Sequence, residues 1–175
     1  METLVNHLPD LKRIRFWMTF SPAYLTYLRV LYNVGLTRID PVKYNSCEVI
    51  PVKFLKTILP KGEDFNKTYK GKTNIGNIIS GVKDGKKKVI YIYNVCDHAK
   101  AFRETGGNAI GYTTAIPTVT VAKLVLEGKW NGSGTKNTED KSLDSKVFLE
   151  EMPKMGLDWT VEELPELPEP LQQNY

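Results

Sequence analysis

At 175 residues, 41% of them hydrophobic, the chain has the size of one domain and the material for one core. No run approaches the roughly 18 to 20 apolar residues of a membrane span, and an opening with Glu2, His7, Pro9 and Asp10 lacks the apolar centre of a signal peptide. The chain therefore reads as soluble and cytoplasmic, with no membrane partner. Its net charge of +4 hides two opposed stretches: residues 53–88 hold ten Lys against three acids, and residues 139–169 hold ten acids against three Lys. That asymmetry fits solvated faces, contact between copies or, as a weaker reading, nucleic-acid binding by the Lys-rich 53–88 stretch. The longest basic run, Lys86-Lys87-Lys88, is too short to make nucleic acid an expected partner. Cys47 and Cys96 lie far apart without Cys-x-x-Cys spacing, which predicts free, partly buried thiols rather than a disulfide or a zinc site.

In chain order, the alternation of Arg13 and Arg15 with Ile14 and Phe16 predicts a strand within residues 11–20. Ser21-Pro22 then opens a helix, the hydroxyl capping a free amide and the ring occupying a position where no N–H is missed. Tyr24, Leu28 and Leu31 recur at helical spacing, and Gly35 supplies the left-handed stop. A second helix is expected over residues 50–59, bracketed by Pro51 and Pro60. Two β-rich runs, 73–82 and 88–95, flank Asp84-Gly85, a pair that tolerates the positive φ of a tight hairpin. Tyr91, Tyr93 and Val95 fall on one face and Ile90 and Ile92 on the other, the pattern of an interior strand.

Beyond the hairpin, residues 109–114 read as a short strand, followed by a helix over 117–127 closed by Gly128. Phe148, Met152 and Met155 repeat at helical spacing after a Ser145 cap, with Pro153 cutting the helix short. Prolines 165, 168 and 170 predict an extended tail. The expected fold class is α+β: a mixed or antiparallel sheet built on the central hairpin, with helices packed on it. Residues 1–163 form the expected domain and 164–175 the tail.

Several ordered blocks have a distinctive look. They include Lys12 to Phe20, Tyr24 to Val30, Gly71-Lys72-Thr73-Asn74-Ile75-Gly76, Ile90 to His98, Asn108 to Pro117 with Gly128-Lys129-Trp130, and Gly156-Leu157-Asp158-Trp159. Together they resemble the carboxyl-terminal domain of the saccharopine dehydrogenase family, most of all the branch that includes carboxynorspermidine dehydrogenase. The resemblance implies half of a two-domain oxidoreductase, in which an amino-terminal Rossmann domain carries NAD(P). Such a site needs a strand, then G-x-G-x-x-G, then a helix start. Neither glycine-rich stretch, 71–81 or 106–111, has that spacing, and no phosphate-binding P-loop is present.

The implied role is substrate binding and dimerisation within an enzyme that joins an amine and a carbonyl compound by reductive amination, or runs the reverse. Its implied partners are an amino acid or polyamine conjugate, the Rossmann domain of the same enzyme and a second copy. Such chemistry needs a proton-handling group and cations for carboxylates. His98, at the end of a tyrosine-rich strand, is the proton-transfer candidate, with Asp97 placed to orient it. Arg15, Arg38 and Arg103 offer the planar fork that grips a carboxylate. Tyr112, Thr113 and Thr114 place three hydroxyls just before the expected helix start, as a pocket wall. Gly111 and Ala115-Ile116 depart from the family, where related proteins tend to carry serine and glycine-valine, which leaves the substrate open. No metal or nucleophile motif is present. The rival expectation is a stand-alone binding or assembly module of the same fold without a redox step.

Overall fold

The computed structural model describes residues 2–65, 67–131 and 134–172. The chain divides at residue 62 into two units.

The first unit begins with a short helix α1 (Glu2–His7), which the sequence reading did not anticipate. Residues 11–20, expected as a strand, have no regular structure. Alternation makes a segment competent for pairing, but a strand exists only where a neighbour supplies the ladder. Helix α2 (Pro22–Asn33) starts as its residues require: Ser21 Oγ accepts the N–H of Tyr24, and Pro22 takes the first turn. At its other end Gly35, at φ +78°, lets Leu36 N–H reach the Leu31 carbonyl and Gly35 N–H reach that of Tyr32. This is a Schellman closure. A small hairpin of β1 (Val42–Tyr44) and β2 (Cys47–Val49) turns at Asn45, also at positive φ. Helix α3 (Pro51–Ile58) ends the unit with Leu55 buried. The Cys47 thiol, expected to be partly buried, is exposed.

The second unit is organised by the Asp84-Gly85 turn. Both residues take positive φ, and strands β3 (Lys72–Lys83) and β4 (Lys86–Asp97) pair antiparallel from Lys72 against Asp97 to Lys83 against Lys86. On the far side of β4 lies β5 (Thr160–Leu164), with Leu164 opposite Val89 and Thr160 opposite Tyr93. The sheet order β3-β4-β5 makes β4 central, as its two-faced pattern predicted. Gly76 occupies the one position in β3 that must lack a side chain. A Cβ there would stand 2.5 Å from both the Ile92 carbonyl oxygen and Tyr93 Cβ, and 2.8 Å from the Tyr91 ring. Tyr91 leans across this gap to donate to Asn74 Oδ1 at 2.9 Å and stacks on Tyr93 at 4.3 Å.

Helices α4 (His98–Thr105), α5 (Ala109–Leu126) and α6 (Ser145–Glu151) cover one end of the sheet. Their core joins Cys96, Ala101, Ala109, Tyr112, Met152 and Leu157, with Trp159 packed against it. The expected break into a strand at 109–114 and a helix from 117 is corrected here. Asn108 Oδ1 accepts the N–H of Gly111, so the helix starts eight residues earlier than expected and contains Pro117. The missing proline N–H removes one rung of the ladder, and burial of Tyr112, Thr113, Thr120 and Leu124 offsets the loss. By length and composition α5 is also a helix that can cross a bilayer, contrary to the expectation that no such run exists.

Gly128, at φ +69°, closes α5, as expected. Asp144, one residue before Ser145, caps α6. Pro153 opens a 3-10 turn after the helix, in the place where a shortened helix was expected. The tail reading is corrected at two points, since Leu164 completes β5 and residues 169–172 form the helical turn α7 (Glu169–Gln172).

One charged group joins α5 to α6. The buried Glu151 carboxylate receives both Lys123, from α5, and Lys154 at 2.9 Å. The Lys123 and Lys154 hydrogen bonds hold Glu151 down at about 2, against an ordinary 4.5. The folded-state value is depressed, so this stabilisation is fully present above the unfolded value near 4.5 and is lost as pH falls towards 2. Denaturant titrations across that window should show a steep acid loss of stability in the wild type and a shallower one in Glu151→Gln. Gly76→Ala should lower stability by about 2 kcal/mol through overpacking, read from the urea midpoint at unchanged slope.

Candidate functional site

Asp97 and His98 sit where β4 runs directly into α4, His98 reaches the start of α5, and Arg103 and the Tyr112–Thr114 turn lie further along those two helices. Asp97 is both the last residue of β4 and the cap of α4, its Oδ1 accepting the Lys100 N–H at 2.9 Å. That hydrogen bond, helped by smaller attractions from Lys72 and Arg103, holds the Asp97 carboxyl below its ordinary range. Asp97 is therefore occupied with its own helix rather than with orienting the neighbouring imidazole.

His98 is 91% removed from solvent and engaged on every side. Its backbone N–H donates to the Gly71 carbonyl at 3.0 Å, and its ring stacks on Tyr69 with centroids 5.2 Å apart. Nδ1 accepts the N–H of Ala109, the first residue of α5, at 3.2 Å, while Nε2 lies 3.4 Å from Thr73 Oγ1. A ring nitrogen that accepts an amide hydrogen carries no proton, so the tautomer inferred from this network is Nε2–H.

The three hydroxyls stand within the first turns of α5 and not ahead of it, correcting their expected place. Thr113 Oγ1 donates to the Ala109 carbonyl at 2.9 Å and Thr114 Oγ1 to that of Ile110 at 2.8 Å, each closing back on the preceding turn. Tyr112 is buried, its hydroxyl 2.8 Å from Glu104 Oε2 and 3.2 Å from the Gly156 carbonyl. Burial first, and the Glu104 hydrogen bond second, push the phenol up to about 12. Beside it, between Cys96, Lys100 and Asp158, lies a cavity of about 40 Å³, which holds one or two waters and not a carboxyalkyl amine. Burial also pushes the Cys96 thiol up.

Arg103 is exposed in the last turn of α4, on the side that attracts Asp97. Arg15 is half-buried in the irregular segment of the first unit. Arg38, in that same unit, is paired with Asp40. Sequence reasoning missed Glu104, Thr73, Tyr69 and Gly156, which complete the environment of Tyr112 and His98. Glu104 lies two turns before Tyr112 in a separate helix, and nothing in spacing alone signals their meeting.

The described residues do not fit as the holder of a dinucleotide. Gly76 is filled by Tyr91, Gly71 and Gly85 bend the hairpin, and Gly106, at φ +71°, ends α4. The amides leading into α5 are used internally: Gly107 N–H by Thr105 Oγ1, Ala109 by His98 and Gly111 by Asn108. No three His, Cys, Asp or Glu side chains cluster as metal ligands among the described residues.

An antiparallel sheet whose central strand feeds a capped, polar helix corner places the chain in the α+β class. Residues 1–157 match the family model described as the saccharopine dehydrogenase C-terminal domain, and the chain belongs to that family. It is 48% identical over 159 residues to the carboxyaminopropylagmatine dehydrogenase of Synechocystis, a match covering 91% of this chain and 39% of that protein. It is 42% identical to the carboxynorspermidine synthase of Vibrio alginolyticus and 40% identical to that of Vibrio cholerae, in each case over 87% of this chain and 37% of the relative. The chain thus spans less than two fifths of the length of these relatives.

Tyr112→Phe removes a buried hydroxyl whose neighbours are Glu104 Oε2 and the Gly156 carbonyl. A loss of about 1 to 2 kcal/mol is expected in urea unfolding, with far-ultraviolet dichroism unchanged.

Proposed function

We propose that the chain is the substrate-binding and dimerisation domain of an NAD(P)-dependent oxidoreductase acting at a CH–NH bond, joining an amine and a carbonyl compound or running the reverse. Family membership carries this reading, supported by relatives whose names specify a dehydrogenase or synthase of carboxyl-bearing amines. The substrate class is accordingly a carboxyalkyl polyamine or amino acid conjugate. Hydride chemistry belongs to NAD(P) held by a Rossmann domain outside these residues.

Arg103 grips a substrate carboxylate beside a wall formed by the turn from Tyr112 to Thr114, and Arg15, in the first unit, is a separate carboxylate-binding candidate. His98 is the proton-handling residue, its Nε2–H beside Thr73 Oγ1 and its Nδ1 engaged by Ala109. A second proton on the ring would occupy Nδ1 and break the Ala109 bond, so proton handling at His98 is coupled to the start of α5. A second copy meets the sheet face on which Ile75, Ile79 and Val161 are exposed. The chain works in the aqueous cytoplasm, with α5 as a core helix. The assembly-module alternative draws support from one observation: the hydroxyls of Tyr112, Thr113 and Thr114 and His98 Nδ1 already have partners within the chain.

Titrated with NADPH, the chain alone should give no saturable fluorescence change. A chimera carrying it in place of the matched 39% of the Synechocystis relative should oxidise NADPH when supplied with an amine and a carbonyl acid. In that chimera His98→Ala should lower kcat by about a hundredfold and alter its pH profile. An unchanged rate and profile would remove the proton-handling role.

A further inference from the structure

In the first unit the sequence pattern and the packing disagree. Tyr24, Tyr27, Leu28 and Leu31 form one stripe along α2, the stripe that in an amphipathic helix faces a core. Yet α2 buries none of its residues: Tyr24 is 49% exposed, Tyr27 70% and Leu28 43%. Phe20 extends the stripe by stacking on Tyr24 at 4.7 Å and is itself 45% exposed. Helix α3, in the same unit, does cover its stripe residue Leu55, at 8%. A continuous exposed aromatic and aliphatic surface of this kind marks a docking face. Its charge does not account for it either, because the stripe bears no ionisable cation or carboxylate.

We propose that the Phe20–α2 surface is the seat of the amino-terminal portion that the relatives carry outside the matched residues. This rests on the reading that the chain works joined to that portion. Two observations select this occupant. The relatives carry at least 61% of their length outside the match, enough for a full nucleotide-binding domain. The family is by description a carboxyl-terminal domain, so in such proteins that portion lies ahead of the matched residues, on the side of the unit bearing the stripe. A short tether raises the effective concentration of one surface at the other, and a modest apolar face then suffices for stable docking. A second copy has its own apolar surface in the sheet face of Ile75 and Ile79.

Hydroxyl-radical footprinting tests this on the chain alone and on the chimera with the Synechocystis relative, reading oxidation of Phe20, Tyr24 and Tyr27. Buried Trp130, 6% exposed, reports that each protein is folded. Oxidation of the three aromatics should fall about fivefold or more in the chimera, as for side chains entering a dry interface core. Unchanged labelling in a folded chimera overturns the proposal. So does protection in the chain alone that grows with dimer mass over about a hundredfold range of concentration, which would assign the surface to a second copy. If Trp130 shows the chimera to be unfolded, the dilute chain decides: heavy labelling of the three aromatics supports the proposal, and protection overturns it. A chimera active but unprotected refutes docking alone, and one protected but inactive refutes the catalytic reading alone.

Discussion

The larger unit depends on one buried imidazole. His98 is held to the start of β3 through the Gly71 carbonyl, to Thr73 through Nε2 and to the first turn of α5 through the Ala109 amide. Two segments distant in sequence, the start of β3 and the start of α5, are thereby held on one residue. Because the Ala109 amide lies in the first turn of a helix, it would otherwise have no partner, and leaving it buried would cost as much as a lost hydrogen bond. The neutral ring answers that need with a nitrogen lone pair, which a charged ring lacks.

From this corner the rest of the site follows. With the start of α5 set by His98 and Asn108, Tyr112 falls one turn inside the helix, where its hydroxyl meets Glu104 from α4 and the Gly156 carbonyl from the 3-10 turn. Gly156 accommodates that approach, since a Cβ there would collide with the Tyr112 hydroxyl. The outcome is a rigid, internally satisfied corner with a cavity too small for substrate. At the surface, the exposed stripe on α2 and the exposed isoleucines of the sheet show that this polypeptide buries only part of what its sequence marks for burial.

Much of the architecture was legible because its signals are local. Ser21-Pro22, Gly35, Asp84-Gly85 and Gly128 each act within a few residues, through a cap, a ring constraint or a positive φ, and each acts in the structure where its chemistry directs. The errors arose where a local pattern has two solutions. Asn108-Ala109-Ile110 was equally able to end a loop before a strand or to cap a helix, and Pro117 was taken for a helix start when the helix simply absorbs it. Residues 11–20 alternate like a strand but find no ladder. Of the site residues, His98, Arg103 and Tyr112 were visible as chemistry-bearing types, while Glu104 and Thr73 had no distinguishing context until the chain folded.

By itself the sequence determined the family, the α+β class, the central hairpin and the position of most helix ends, since these rest on steric and hydrogen-bonding rules that operate over a few residues. Only the tertiary structure decided which nitrogen of His98 is an acceptor, that the Tyr112 hydroxyl is spent on Glu104, and that the α2 stripe lies open. These are relations between segments tens of residues apart. Whether a polar group is satisfied, or an apolar one covered, depends on what the fold brings against it.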